Sequence, residues 1–324
     1  MKTLFSGIKP TGELHIGNYL GAVRNWVALQ KDYSCIYSIV DYHALTTPIE
    51  QEELKTNTIR LAADLLSLGI DPKKSILFRQ SDVPEHTELA WIFACLTPVP
   101  ELERMTQYKD FVRDGRATAN AGLLTYPVLQ TADILLYMAE YVPVGEDQLQ
   151  HLELGRIIAR KFNKRYGSFF PEIQPVLSEN VRVMALNDPG KKMSKSLGPK
   201  SYIALRDAAD VVKQKIQKAV TDSLDSTNSL TGGHNLLTLF KQFGPHERAE
   251  HFERAHALKK LSYDELKRDL IRELNGFLEP IRVKRAHYDA HPKEIEKILS
   301  TGAKHARVIA QKTLSAVRKK IGLS

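Results

Sequence analysis

Through its first 190 residues the chain alternates short apolar runs with amphipathic helical stretches, and few folds accept that pattern. Strand-like runs stand at residues 4–8, 35–40, 76–80 and 142–145. Between them lie helical patterns such as 52–68, which sets Leu54, Ile59, Leu61, Leu65, Leu66 and Leu68 broadly on one side. It stops at Gly69, a residue suited to a helix C-terminus. Strands alternating with helices predict an α/β fold, a parallel sheet with helices on both faces. Such sheets bind ligands beyond the carboxyl ends of their strands. His15, Asp41, His43 and the loop at Gly145 all follow predicted strands, so they can share one site.

After about residue 190 the pattern becomes helical, with helices expected at 204–218, 236–243, 247–258 and 263–289. A last helix over 292–321 carries Ile295, Ile298, Leu299, Ala306, Ile309, Leu314, Val317 and Ile321. Polar Thr227-Asn228-Ser229 and Gly232-Gly233 mark an internal loop. No repeat or long low-complexity tract is present.

The 324 residues suffice for one large α/β core and a smaller domain. The net charge of +8 is uneven: residues 201–324 hold 23 Lys+Arg and 15 Asp+Glu, whereas residues 1–200 hold 23 of each. A basic C-terminal half suits contact with a polyanion, although basic helices are common in general. The two cysteines, Cys35 and Cys95, have no CxxC spacing, so no metal site is expected from them, and their scarcity fits a reducing, cytoplasmic compartment. No signal peptide is expected, because no long apolar stretch follows the first charges. The most apolar stretch, 123–144, is interrupted by Asp133 and Glu140 and bears a proline, so no membrane span is expected there.

Two stretches carry recognisable chemistry. Lys192-Met193-Ser194-Lys195-Ser196 lies beside Gly198 and Pro199 and is flanked by Lys191 and Lys200. Its donors can close on a polyphosphate; taken alone such a stretch is more often a solvated basic loop, and a second motif in the same half reverses that reading. Pro10-Thr11-Gly12-Glu13-Leu14-His15-Ile16-Gly17-Asn18 runs from a predicted strand into a helix. Its glycines allow close backbone approach and the helix N-terminus offers free N–H groups to an anion, but an ordinary turn with an incidental histidine reads the same way. Gly145-Glu146-Asp147-Gln148 leads into a helix, where its acids either accept from a ligand or favour the helix dipole. Asp133 stands in the apolar run 126–136, either buried and paired or on the wet side of an amphipathic helix.

His15-Ile16-Gly17-Asn18 and Lys192-Met193-Ser194-Lys195-Ser196 together resemble the two signatures of class I aminoacyl-tRNA synthetases. Further runs at 102–107, 126–135, 142–148 and 219–223 are similar to the bacterial tryptophanyl-tRNA synthetase family, in that family's order and spacing, over nearly all of the chain. The resemblance implies a Rossmann-like catalytic domain at 1–190, an inserted all-α anticodon-binding domain at 191–291 that begins with the lysine–serine loop, and a C-terminal helix at 292–324 packing back towards the catalytic domain. It implies ATP with Mg2+, L-tryptophan and its tRNA as reactants, and a homodimer.

In the implied reaction a carboxylate joins the α-phosphate of ATP and expels pyrophosphate, so catalysis is mostly positioning and charge stabilisation. The resemblance gives His15, Asn18, Lys192 and Lys195 the catalytic tasks. It gives the nucleotide to Lys9, Pro10, Thr11, Gly17, Asn18, Gly145, Glu146, Asp147, Val183, Lys192, Met193, Ser194, Lys195 and Ser196. Tryptophan falls to Phe5, His43, Tyr126, Gln130, Asp133, Val142, Val144 and Gln148, with Asp133 accepting the indole N–H; His43 is equally a satisfied structural histidine. Gln107 is an added substrate-side amide, beside Glu103 and Arg104, which are equally structural ion-pair partners. Phe111 stands where many relatives have a lysine; either Arg113 or Lys9 supplies some of that charge, or the step depends more on the Lys192–Ser196 loop. The competing readings are a tyrosyl-tRNA synthetase, a small-molecule nucleotidylyltransferase and a non-catalytic RNA-binding relative. The run 145–148 favours tryptophan, the long basic helical half argues against a small substrate, and intact His15, Lys192 and Lys195 argue for retained chemistry.

Overall fold

The structure, a computed structural model, describes residues 1–114, 119–177, 181–222 and 232–323; the side chains of Asp114 and Asp147 lie outside that description. Ser223 and Thr227-Asn228-Ser229 also lie outside the described residues. Strands β1 (Thr3–Ile8), β2 (Ser34–Ile39), β3 (Ser75–Arg79), β4 (Tyr141–Val144) and β5 (Gln174–Leu177) are labelled in chain order. The longer helices are α1 (Gln51–Leu68), α2 (Glu85–Ala94), α3 (Ala121–Leu135), α4 (Leu149–Tyr166), α5 (Ala209–Gln217), α6 (Gly232–Phe243), α7 (His246–Ala257), α8 (Tyr263–Ala290) and α9 (Pro292–Ile321). None of the helices is long and apolar enough to cross a membrane, among the described residues.

Two compact units share the chain. One comprises Met1–Gly12, Ala22–Ser178 and His291–Ser324; the other comprises Glu13–Gly21 and Glu179–Ala290. The first holds the sheet, whose strands run parallel in the order β3-β2-β1-β4-β5. Strand order reverses between β1 and β4, so loops leaving these two strands diverge and open a crevice at their carboxyl ends. Residues 8–11 and the Gly145 loop lie there.

The core of this unit joins Phe5, Ile36, Phe78, Phe93, Leu135, Tyr137, Val142, Phe162 and Phe170, with Ala303, Ala306, Ala310, Leu314 and Val317 of α9. Helix α9 closes on β3, the edge strand. At Gly302 a Cβ would stand 2.0 Å from the Leu77 carbonyl oxygen, so only glycine permits that approach. Arg79 of β3 pairs with Glu296 at 3.6 Å, and Arg307 donates to Glu85 of α2 at 3.1 Å.

In the second unit α6 and α8 pack through Leu236, Leu239, Phe240, Leu266, Leu270 and Leu274, all buried. A helix was expected from residue 204. It begins at Ala209 instead, because Ala204 forms an antiparallel bridge with His15 and its N–H is held by Asp207 Oδ2 at 2.8 Å. The helical pattern after His15 is also broken: a π turn at Tyr19–Val23 separates short helical pieces at Ile16–Asn18 and Arg24–Leu29.

Candidate active site

The expected site residues divide between the two units. Phe5, Lys9, Pro10, Thr11, His43, Tyr126, Gln130, Asp133, Val142, Val144, Gly145, Glu146, Asp147 and Gln148 belong to the sheet-bearing unit; His15, Gly17, Asn18, Val183 and Lys192 to Ser196 belong to the other.

In the sheet-bearing unit, Asn120 caps α3 by accepting from the Leu123 N–H at 2.8 Å. Tyr126, Gln130 and Asp133 follow at spacings of four and three, which place them on one helix face. Asp133 is 1% exposed, so the surface reading of this residue fails. Its carboxylate is held by three side chains: His43 Nε2 at 2.7 Å on Oδ2, and Gln80 Nε2 at 2.7 Å and His86 Nδ1 at 2.6 Å on Oδ1. Burial opposes ionisation, but His43 and His86 outweigh it and hold the carboxyl well below the usual carboxylate range. Gln80 also accepts the Tyr42 N–H through Oε1 at 3.1 Å, and His86 Nε2 meets the Tyr137 hydroxyl at 2.7 Å.

Around this network the aromatic groups are fixed. Tyr126 faces the His43 ring edge-on at 6.1 Å, and its hydroxyl meets His151 Nε2 at 2.7 Å. The Lys9 ammonium lies 5.3 Å from the Tyr126 ring centroid, a cation–π distance. Phe5 stacks on Tyr137 at 5.5 Å and belongs, with Val142, to the buried core; Val144 is half-buried against it. Gln130 and Gln148 are half-buried, Lys9, Thr11 and Glu146 are exposed, and Pro10 is buried. Gly145 begins the turn Glu146–Gln148, and its carbonyl accepts the Gln148 N–H at 3.0 Å.

Residues 102–107 are anchored by buried Leu102 and Met105. Arg104 pairs with Glu101 at 3.5 Å, and Arg113 pairs with Asp110 at 2.8 Å. Gln80, His86, Tyr137 and His151 escaped the sequence reading. Gln80 carried a usable signal: it closes a predicted strand at the end where such sheets bind ligands.

In the other unit His15 is 6% exposed and begins the short helix Ile16–Asn18; Asn18 Oδ1 accepts its N–H at 3.0 Å. A Cβ at Gly17 would stand 3.0 Å from the His15 ring and 3.7 Å from Met193 Cβ, so glycine makes room for the imidazole. The lysine–serine loop is pinned at both ends. Met193, 3% exposed, donates its N–H to the Val183 carbonyl at 2.9 Å, and Lys192 bridges Met184. Ser201, fully buried, donates to the Ser194 and Gly198 carbonyls at 2.7 Å. Between these anchors Ser194 and Ser196 hydroxyls touch at 2.9 Å, and Lys195 and Lys192 stand near His15.

Burial, then the fields of Lys195 and Lys192, push the His15 pKa down to about 4. Burial lowers the Lys195 pKa against the pull of Glu13. His15 Nδ1 is buried with no hydrogen-bond partner. A neutral ring nitrogen with no hydrogen-bond partner, in the field of two lysines, suits an anionic ligand. Among the described residues no three His, Cys, Asp or Glu side chains stand together to hold a metal ion.

A family profile described as tRNA synthetases class I (W and Y) matches residues 1–279. The chain belongs to this family. As a class I synthetase it is 45% identical to the tryptophan–tRNA ligase of Caldanaerobacter subterraneus subsp. tengcongensis, over 100% of this chain and 99% of the relative. It is also 45% identical to that of Halalkalibacterium halodurans, over 99% and 98%. A crystal structure of tryptophanyl-tRNA synthetase from Campylobacter jejuni, complexed with ADP and tryptophan, superposes with a TM-score of 0.86 at 36% identity, covering 100% of both chains.

Proposed function

We propose that this chain is a tryptophan–tRNA ligase. What carries the reading is Asp133, a buried ionised acceptor in a chain that matches tryptophan–tRNA ligases from end to end. In the first step a tryptophan carboxylate oxygen bonds to the α-phosphorus of ATP, and the bond to the β-phosphate oxygen breaks. Pyrophosphate leaves and tryptophanyl-adenylate remains. Lys192 and Lys195 balance the growing charge on the leaving group, the Ser194 and Ser196 hydroxyls donate to it, and neutral His15 donates without adding a charge. Gly17 and Asn18 are assigned to the nucleotide with His15; the assignment of Lys9, Thr11 and the Gly145 loop to it rests on the family resemblance alone. Mg2+ enters with the triphosphate, as part of the substrate. A ribose hydroxyl of the tRNA then attacks the carbonyl and displaces AMP.

Asp133 accepts the indole N–H, with His43 and Tyr126 against the ring. Catalysis is assigned to residues 1–190, anticodon binding to 191–291, and the helix of 292–324 returns to the catalytic domain. We assign a homodimer, supported by Trp91, a large apolar side chain 72% exposed. Free Cys35 and Cys95 fit a cytoplasmic setting.

The test is exchange of labelled pyrophosphate into ATP, without tRNA, for each of the twenty amino acids. Exchange with tryptophan alone is expected. Exchange with tyrosine would move the chain to the sibling specificity, and none at all would remove the catalytic reading.

A further inference from the structure

An ionised carboxylate offers about four acceptor directions, two on each oxygen. Gln80 and His86 both donate to Oδ1 of Asp133, at 2.7 and 2.6 Å, which fills that oxygen. Among the described residues His43 is the one side chain on Oδ2, at 2.7 Å, so Oδ2 keeps one direction for another donor.

The protons of His86 can be assigned from its neighbours. The buried Tyr137 hydroxyl meets Nε2 at 2.7 Å and must donate to be satisfied. Nε2 therefore accepts, and the ring proton sits on Nδ1, pointing at Asp133. His86 is fully buried, stacks on Phe78 at 5.9 Å and packs at 5.4 Å on Tyr137, which fixes the plane of the ring, and its partners on both nitrogens favour this orientation.

We propose that His86, oriented by Tyr137, is a positioning residue that with Gln80 saturates Oδ1 of Asp133 and so reserves Oδ2 for a single donor on the substrate ring. The pocket thereby selects a flat aromatic side chain bearing one ring N–H. A ring without a donor leaves Oδ2 short of a partner, and a ring with two leaves one of them unpaired. This rests on the tryptophan reading above and adds what sets its stringency.

The experiment compares pyrophosphate exchange for tryptophan and for 3-benzothienylalanine, which has sulfur in place of the indole N–H. The readout is the ratio of their kcat/KM values. In His86→Leu, Asp133 loses one of its holders, and the ratio is expected to fall by about tenfold or more, mainly through a higher KM for tryptophan. In His86→Asn, whose amide can still donate to Oδ1, most of the preference is expected to return. An equal loss for both substrates, or an Asn variant no better than the Leu variant, overturns the proposal.

Leucine at a buried polar position endangers folding, so a second measurement uses the unaltered protein. Nitrogen-15 NMR of His86 at neutral pH is expected to show the proton on Nδ1, and a proton on Nε2 alone overturns the assignment. If the unaltered protein fails to exchange with tryptophan, the parent reading falls. If it exchanges and discriminates but the Leu variant discriminates equally well, only the role of His86 falls.

Discussion

Asp133 and His15 are both buried titratable groups, and their surroundings drive them to opposite charge states. Asp133 keeps its charge because donors reach it; His15 loses its charge first because it is buried and then because lysines stand near it. The field at His15 makes two predictions. Lys195→Ala is expected to slow single-turnover adenylate formation on the order of 100-fold, about 3 kcal/mol, with folding intact because Lys195 is only half-buried. An unchanged rate would take Lys195 out of the pyrophosphate's path. Second, His15 should titrate near its depressed value of about 4 in the free protein and rise when ATP binds, since phosphate charge cancels the lysine field. NMR titration reads this directly, and a free-protein pKa near the model-peptide value would place the ring in water. The stability consequence has a definite sign: the unfolded ring binds a proton first, so His15 costs nothing above pH ~6.5 and weakens the fold as pH falls from there towards 4. At this scale the sequence was partly legible. An acid inside an apolar run reads equally as buried and paired or as the wet side of an amphipathic helix, and burial decided between them. Its partners do not announce themselves, because His43, Gln80 and His86 lie 90, 53 and 47 residues away and no local spacing links them.

Among elements, β1 to β4 and helices such as α1, α8 and α9 could be read from a clear apolar period, whereas α2 was not; Gly69 ends α1 at a positive φ of 111°, as its position suggested. Strand β5 could not. Its four residues include Pro175, and none is fully buried, so neither length nor alternation marks it. The close meeting of α9 and β3 was also invisible, since a glycine inside a helical pattern reads only as a weak point. Gly302→Ala tests it. Alanine gains up to about 1 kcal/mol in helix propensity, but its Cβ meets a strand carbonyl that cannot retreat. Overpacking against backbone should win, with a net loss of about 1–3 kcal/mol and a lower urea midpoint. A raised midpoint would show that α9 shifts freely on the sheet.

For the whole molecule, the helices redistribute the charge argument. Residues 292–321 hold eight Lys+Arg and two Asp+Glu, so most of the surplus in the C-terminal half rides on α9, in the sheet-bearing unit. Residues 201–290 hold 15 and 13 and are close to balanced. A count divided at residue 200 hides this, because the chain leaves the first unit and returns. Exposed Trp91 belongs at the same scale. Trp91→Arg is expected to convert a dimer to a monomer in analytical ultracentrifugation, and an unaltered sedimentation coefficient would remove that face from the interface.

The seating of α9 on β3 also bears on biogenesis. The ribosome makes this helix after all five strands, and β3 lacks that cover until it emerges. The strand that ends beside Gln80 therefore waits with its edge bare until Pro292–Ile321 is made. A nascent chain halted before residue 292 carries an unguarded edge strand, open to pairing with any neighbour and dependent on chaperones until synthesis resumes.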